Sequence, residues 1–168
     1  MFESCVLGVD PGVSALGIAA VAREGRQPAL LFARTVRTPG DLDEAGRLRL
    51  IHEAVRDAIA THRPEAVAVE RVAWNRNQRS ALHVARATGV VLLAASEAGL
   101  PVEEYGPLEV KMAVTGQGTA DKGRVRDALV RLHGLRDVPT QPDAADAVAV
   151  ALCHLTQSRL RRVARLAT

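Results

Sequence analysis

Aromatic side chains, cysteine and long apolar runs are all scarce in this chain of 168 residues. It holds one tryptophan, one tyrosine and two phenylalanines, although 48% of its residues are apolar. The core must therefore be mainly aliphatic, and a chain of this length can build one domain around it. No apolar stretch reaches the length that spans a membrane, so we expect no membrane association.

The few cysteines and the first ten residues indicate a cytoplasmic protein. Cys5 and Cys153 lie in separate apolar stretches without metal-ligand spacing, which predicts buried free thiols. The first ten residues include Glu3 and Asp10 and lack a basic segment. We therefore expect no secretory signal peptide.

The charge balance weakly favours a polyanionic partner. The chain has 22 basic and 19 acidic side chains, which gives a net charge of +3. If several of the acids gather in one site, the remaining surface is more basic than this value suggests. An acidic site within a basic rim suits a nucleic acid, although +3 is also an ordinary charge for a chain rich in arginine and alanine.

Hydrophobic periodicity predicts an α/β domain with a mixed sheet, in which three strands joined by short turns precede alternating strands and helices. The predicted strands are Cys5–Val9, Ile18–Ala22, Ala29–Arg37, Ala66–Val69 and Val102–Tyr105. The predicted helices are about Asp43–His62, Ser80–Ala98, Pro107–Val114, Asp121–Leu132 and Asp143 to about Gln157. We interpret residues 1–157 as a single domain and residues 158–168 as a basic tail.

Four acids stand at the edges of apolar segments. Asp10 ends the first predicted strand and Glu70 ends the fourth, which is where α/β sheets bind ligands. Asp143 and Asp146 are three residues apart in PDAADAVAVAL and so share one helix face. Each acid alone is also consistent with an ordinary turn, strand end or helix start. Their consistently apolar and small neighbours favour one shared site.

Four carboxylates in one crevice would repel one another, and their pKa values would be coupled. Two Mg²⁺ ions would balance these charges and suit hydrolytic phosphoryl chemistry, in which one ion activates water and the other stabilises the leaving oxygen. We therefore predict a catalytic two-metal site, in which Asp10 is the residue expected to bridge the ions. Its predicted ligands are Asp10, Glu70, Asp143 and Asp146.

The motifs VLGVDPG, AVERV, ADKGRV and PDAADAVAVA occur in this order, and with them the chain resembles the RuvC family of Holliday-junction resolvases. The resemblance covers about residues 5–155. It implies a ribonuclease H-like fold, with a mixed five-stranded sheet flanked by helices. It also implies a homodimer that nicks two strands of four-way junction DNA symmetrically with Mg²⁺ or Mn²⁺, and a partnership with the RuvA–RuvB branch-migration complex.

Further residues are predicted to bind DNA. Lys111 and Lys122 match family lysines near the scissile phosphate, and Lys122 lies among cations at a helix start, where an anion such as phosphate would compensate. The family's stacking phenylalanine is replaced by Ala73, so we assign base stacking to the adjacent Trp74, with Arg76 beside it on the DNA. The alternatives are a solvated charged face for the lysines and a Trp74 folded under its own loop.

The predicted helix Ser80–Ala98 is apolar around most of its circumference, which indicates cover on more than one side. The resemblance identifies it as the dimer helix. Three other function classes stay open at this point. They are an ATPase of the sugar-kinase type, which needs a second related domain, a non-catalytic junction-binding module, and a ribonuclease H-like nuclease with a different substrate.

Overall fold

Five strands and five helices make up the computed structural model, which describes residues 4–72 and 78–166. The strands are β1 (Ser4–Asp10), β2 (Ala15–Glu24), β3 (Gln27–Arg37), β4 (Ala66–Glu70) and β5 (Val102–Tyr105). The helices are α1 (Glu44–His62), α2 (Gln78–Glu97), α3 (Pro107–Thr115), α4 (Lys122–Arg131) and α5 (Pro142–Leu166).

The strands form one mixed sheet in the order β3-β2-β1-β4-β5. β1, β2 and β3 pair antiparallel as consecutive strands, and β4 then pairs parallel with both β1 and β5. The predicted mixed five-stranded sheet flanked by helices is confirmed. The parallel pairing of β1 with β4 brings the carboxyl ends of these two strands to the same edge of the sheet.

A hydrophobic cluster covers each face of the sheet, because alternate residues of a strand point to opposite sides. On one face, Leu7 and Val9 pack with the buried side of α1 and α2. On the other, Val6 and Ala68 pack with α3, α4 and α5. The two cysteines are buried free thiols as predicted, and they belong to different clusters.

Aspartate caps fix the starts of two helices. Asp43 Oδ1 accepts a hydrogen bond from Gly46 N at 2.8 Å, and Asp121 Oδ1 accepts one from Arg124 N at 2.8 Å. Each bond satisfies a backbone N–H that has no partner within the first turn. The predicted starts of α1 and α4 therefore agree with the structure.

The predicted end of the last helix, near Gln157, is wrong, because α5 continues to Leu166. The stretch after Gln157 contains no glycine or proline, so nothing in it interrupts a helix. The arginine side chains of the predicted basic tail, from residue 159 onward, lie outside the described side chains. In the part of the chain that the structure describes, no helix is long and apolar enough to cross a membrane.

Candidate active site

Strand alternation places two of the predicted acids on the face that α5 covers. Val6 and Ala68 face α5. Asp10 lies four residues after Val6 and Glu70 lies two residues after Ala68, so both acids point to the same face of the sheet. The register pairs Val9 with Val69, so the residues that follow, Asp10 and Glu70, end neighbouring parallel strands. Their carboxylates therefore meet at one edge of the sheet.

Two glycines let the start of α5 approach this edge closely. A Cβ atom at Gly17 would overlap the carbonyl oxygen of Asp143, and one at Gly8 would overlap that of Ala147. Gly17 is also the register partner of Asp10 across β1 and β2. The first turns of α5 thus rest on bare strand backbone, and this contact brings Asp143 and Asp146 towards Asp10.

A cavity of about 420 Å³ opens where these elements meet. Three of the four predicted acids line it, namely Asp10, Glu70 and Asp146, and so do both predicted lysines, Lys111 and Lys122. Asp143 does not line the cavity, although its charge acts on Asp10. The structure therefore gathers five of the predicted residues around one cavity, and Asp143 is not among them.

Burial and repulsion hold a proton on the acid pair. Burial, followed by the charges of Glu70 and Asp146, raises the pKa of Asp10 to about 8, and a hydrogen bond with Glu70 and the charge of Asp143 add to this. Burial also raises the pKa of Glu70. At neutral pH the Asp10 carboxyl is therefore mostly protonated and donates to the Glu70 carboxylate.

Lys122 neutralises the third acid of the cavity. Its Nζ lies 2.6 Å from Asp146 Oδ2, and this hydrogen bond raises the pKa of Lys122. The sequence led us to expect an anion beside the cations that begin α4, and for Lys122 this anion is Asp146 of the same chain. The Lys122 side chain is still 70% exposed, so it remains accessible to a phosphate.

The chemistry of these donors suits a hard divalent cation. Carboxylate oxygens are the ligands that Mg²⁺ and Mn²⁺ prefer, and the Asp10 carboxyl holds its proton because burial and the neighbouring carboxylates disfavour its anion. Within residues 4–72 and 78–166, no group of three His, Cys, Asp or Glu side chains has a metal-binding arrangement. The acids are thus assembled near one another while Lys122 and a shared proton balance their charge.

Two predicted DNA-binding residues, Trp74 and Arg76, lie outside the described residues. One basic residue of the cavity escaped the sequence prediction, namely Arg71, which lines the wall next to Glu70. Its Nη2 donates to the Glu104 carbonyl oxygen at 3.1 Å. Its position directly after a strand-end acid was the signal that could have identified it.

The comparison with protein families identifies the family of the chain. The family model described as "Crossover junction endodeoxyribonuclease RuvC" matches residues 6–154. The chain belongs to the RuvC family. The RuvC protein of Mycobacterium ulcerans is 46% identical over 150 residues, which cover 89% of this chain and 82% of that protein. RuvC of Moorella thermoacetica is also 46% identical, and the match covers 89% of each chain.

Solved RuvC structures share the fold. T. thermophilus RuvC in complex with a Holliday junction substrate matches with a TM-score of 0.88 and 39% identity, over 94% of this chain and 96% of that one. The yeast mitochondrial Holliday junction resolvase Ydc2 matches with a TM-score of 0.69 at 12% identity, over 94% of this chain and 80% of that one, which shows a common fold alone. The predicted RuvC membership, ribonuclease H-like fold and endodeoxyribonuclease class are confirmed.

Proposed function

We propose that this RuvC-family endonuclease resolves Holliday junctions by nicking two strands of four-way junction DNA symmetrically. The observation that carries the proposal is the meeting of Asp10, Glu70 and Asp146 with two lysines in one cavity. These acids come from β1, β4 and α5, so only the complete fold assembles them. The residues that would hold two divalent cations, Mg²⁺ with Mn²⁺ as a substitute, are Asp10, Glu70, Asp143 and Asp146.

The residues of the chain prepare this site before the substrate arrives. When bound, the cations would supply an activated water and stabilise the leaving oxygen. Asp10 must release its proton to act as an anionic ligand, and because its pKa is raised to about 8, this release is favoured only at alkaline pH or when a cation binds. Lys122 and Lys111 lie on the same cavity, where each can contact a non-bridging oxygen of the scissile phosphate. Trp74 and Arg76 would stack on and contact the junction bases.

Symmetric nicking requires two active sites, and α2 offers a surface on which two copies can pair. Its inner face, which includes Ala87 and Val91, is buried in the hydrophobic cluster that α2 shares with α1 and the sheet, while Leu82 and Leu93 are 50% and 53% exposed. A homodimer would cover these leucines. We further propose that the dimer works in the cytoplasm with the RuvA–RuvB complex, which moves the branch point.

The test is cleavage of an end-labelled four-way junction over a range of Mg²⁺ and Mn²⁺ concentrations. We expect paired nicks that leave ligatable ends. Asp10→Asn should reduce the cleavage rate by at least about a hundredfold, because it removes a metal-binding charge, while junction binding stays intact. Asp57→Asn is the matched control, since Asp57 is an exposed acid on α1, and it should cleave at the wild-type rate.

Three results would contradict the proposal. Tight junction binding without nicks at any metal concentration would indicate a binding module. Faster cleavage of RNA–DNA hybrids or flaps than of junctions would indicate another substrate. Unchanged cleavage by Asp10→Asn would remove Asp10 from the catalytic site.

A further inference from the structure

A second cavity, of about 400 Å³, adjoins the acid cavity. Ser80 lines both cavities, and the turn between β1 and β2 separates them, because Asp10 and Pro11 line the first while residues 12–15 line the second. The start of α1 and the first turns of α2 form its other walls, through Leu42, Glu44, Arg47, Ser80 and His83. The two cavities are therefore neighbours, one on each side of the β1–β2 turn.

The charge of the second cavity is positive. Among the described residues that line it, Glu44 is the only acid, and its own neighbours neutralise it. Glu44 Oε1 lies 2.7 Å from His83 Nδ1, and Oε2 pairs with Arg86. Arg47 forms no salt bridge within the described part of the chain, so its charge is available to a ligand.

Arg47 and the turn are held in place before any ligand binds. Arg47 Nε donates to the Pro39 carbonyl oxygen at 2.9 Å, which fixes the guanidinium against the cavity. The buried Thr38 donates its hydroxyl to Val13 O at 2.6 Å and its N–H to Ser14 O at 3.2 Å. These bonds order both walls, so little conformational entropy is lost on binding.

We propose that the second cavity is a subsite for the DNA strand whose scissile phosphate enters the acid cavity, with Arg47 contacting a nearby phosphate of that strand. The inference rests on the proposed function, because that function supplies the polyanionic strand. A strand that reaches the acid cavity continues past it in both directions, and one direction crosses the β1–β2 turn. An unpaired, positioned guanidinium beyond that turn matches the geometry that phosphate groups favour.

The test compares two arginines of the same helix. Junction binding is measured without divalent ions over a range of salt concentrations for wild type, Arg47→Ala and Arg49→Ala. Arg49 is the matched control because its side chain is 71% exposed and pairs with Glu53 at 3.5 Å. We expect Arg47→Ala to lower the slope of log affinity against log salt by about one unit, with affinity several-fold weaker. Arg49→Ala should leave both values unchanged.

Two further variants keep the inference testable if Arg47→Ala alters the fold. Arg47→Lys should retain the salt slope because it keeps the charge. Ser14→Asp places a negative charge at an exposed position of the cavity wall and should weaken junction binding several-fold. Equal slopes for both alanine variants, together with wild-type binding by Ser14→Asp, would overturn the subsite. Cleavage of the junction by the wild-type protein is measured in parallel. If the wild type does not cleave, that result contradicts the proposed function and not the subsite.

Discussion

The two faces of the sheet are packed by different means, and only one of them carries the acids. On the α5 face, near the site, Gly8 and Gly17 leave strand backbone open to the backbone of the helix. On the opposite face, large side chains such as Ile18 and Ile51 fill the space between sheet and helix. The first arrangement fixes a helix position closely, and the second mainly contributes buried apolar area. The site lies on the face where the exact position of the helix matters more than the volume of the buried side chains.

Among the predicted effects, we expect the largest from Gly17→Ala, which tests the close packing of α5 on the strands. The new methyl group would overlap the Asp143 carbonyl oxygen, which is backbone and can move only if α5 moves. We expect a loss of stability of about 1–3 kcal/mol and a fall in cleavage of about a hundredfold per folded molecule, because shifts of about 1 Å can cost that much. Urea denaturation and single-turnover cleavage below the unfolding transition measure the two effects separately.

The matched control is Gly40→Ala, where the added Cβ would meet only the end of the Arg47 side chain, at ordinary contact distance. This variant should be close to wild type in stability and cleavage rate. If Gly17→Ala loses stability but retains the wild-type rate and Mg²⁺ requirement, the close packing of α5 does not position the acids.

The second prediction concerns the outer surface of α2, on the opposite face of the sheet from the acids. Leu93→Glu places a charge on the exposed apolar side of α2 and should weaken self-association at least about tenfold, since a desolvated charge is costly at an interface. Leu132→Glu, at a position that is 70% exposed on the other side of the molecule, should leave self-association unchanged. Analytical ultracentrifugation distinguishes the two, and equal dissociation constants would exclude α2 as the dimer surface.

The acids predict a pH effect that the other face lacks. Because the pKa of Asp10 is raised to about 8 in the folded state, above about 3.9 in an unfolded chain, the folded state holds a proton that the unfolded state has released. Its contribution to stability is therefore present at low pH and is lost as pH rises through about 8. In EDTA we expect the Tm to fall by about 5 °C between about pH 5.5 and pH 8.5.

Differential scanning calorimetry of wild type and Asp10→Asn isolates the contribution of the coupled pair Asp10 and Glu70, because groups distant from this pair titrate equally in both proteins. Asp10→Asn should show a smaller fall in Tm over the same pH range. Mg²⁺ should raise the wild-type Tm more at the alkaline end than at the acid end. Identical pH profiles for the two proteins would show that Asp10 does not carry the effect.

The smallest change in stability is expected on the face of the sheet where large apolar side chains fill the space beneath α1. Ile18→Val removes one methylene from a fully buried side chain and should reduce the free energy of unfolding by about 1 kcal/mol. Cleavage per folded molecule should stay at the wild-type level. A loss of cleavage comparable with that of Gly17→Ala would mean that both faces position the site.

Local signals in the sequence were enough for most of the elements. The helices predicted to begin at Asp43 and Asp121 do begin there, where each aspartate caps the first turn, and the apolar strands that end in Asp10 and Glu70 indicated where a site would form. The end of α5 was missed because no breaking residue follows Gln157. A continuous helix leaves no local mark at the point where a domain is expected to end.

The arrangement of the site depends on contacts between distant residues, which a local pattern does not encode. The pairing of β1 with β4 and the approach of Asp143 to Gly17 both join residues far apart in the chain. The ion pair between Lys122 and Asp146 depends in turn on how α4 packs beside α5. The sequence therefore indicated which residues to consider for the site, but it did not indicate which residue each of them contacts in the folded chain.

The placement of the two thiols bears on how the protein withstands oxidants. Cys5 and Cys153 lie in the interior on opposite sides of the sheet, so the sheet prevents them from forming a disulfide with each other. Burial also raises the pKa of Cys5, which disfavours the thiolate that peroxide attacks. The folded chain should therefore keep its thiols intact in hydrogen peroxide and work without added reductant.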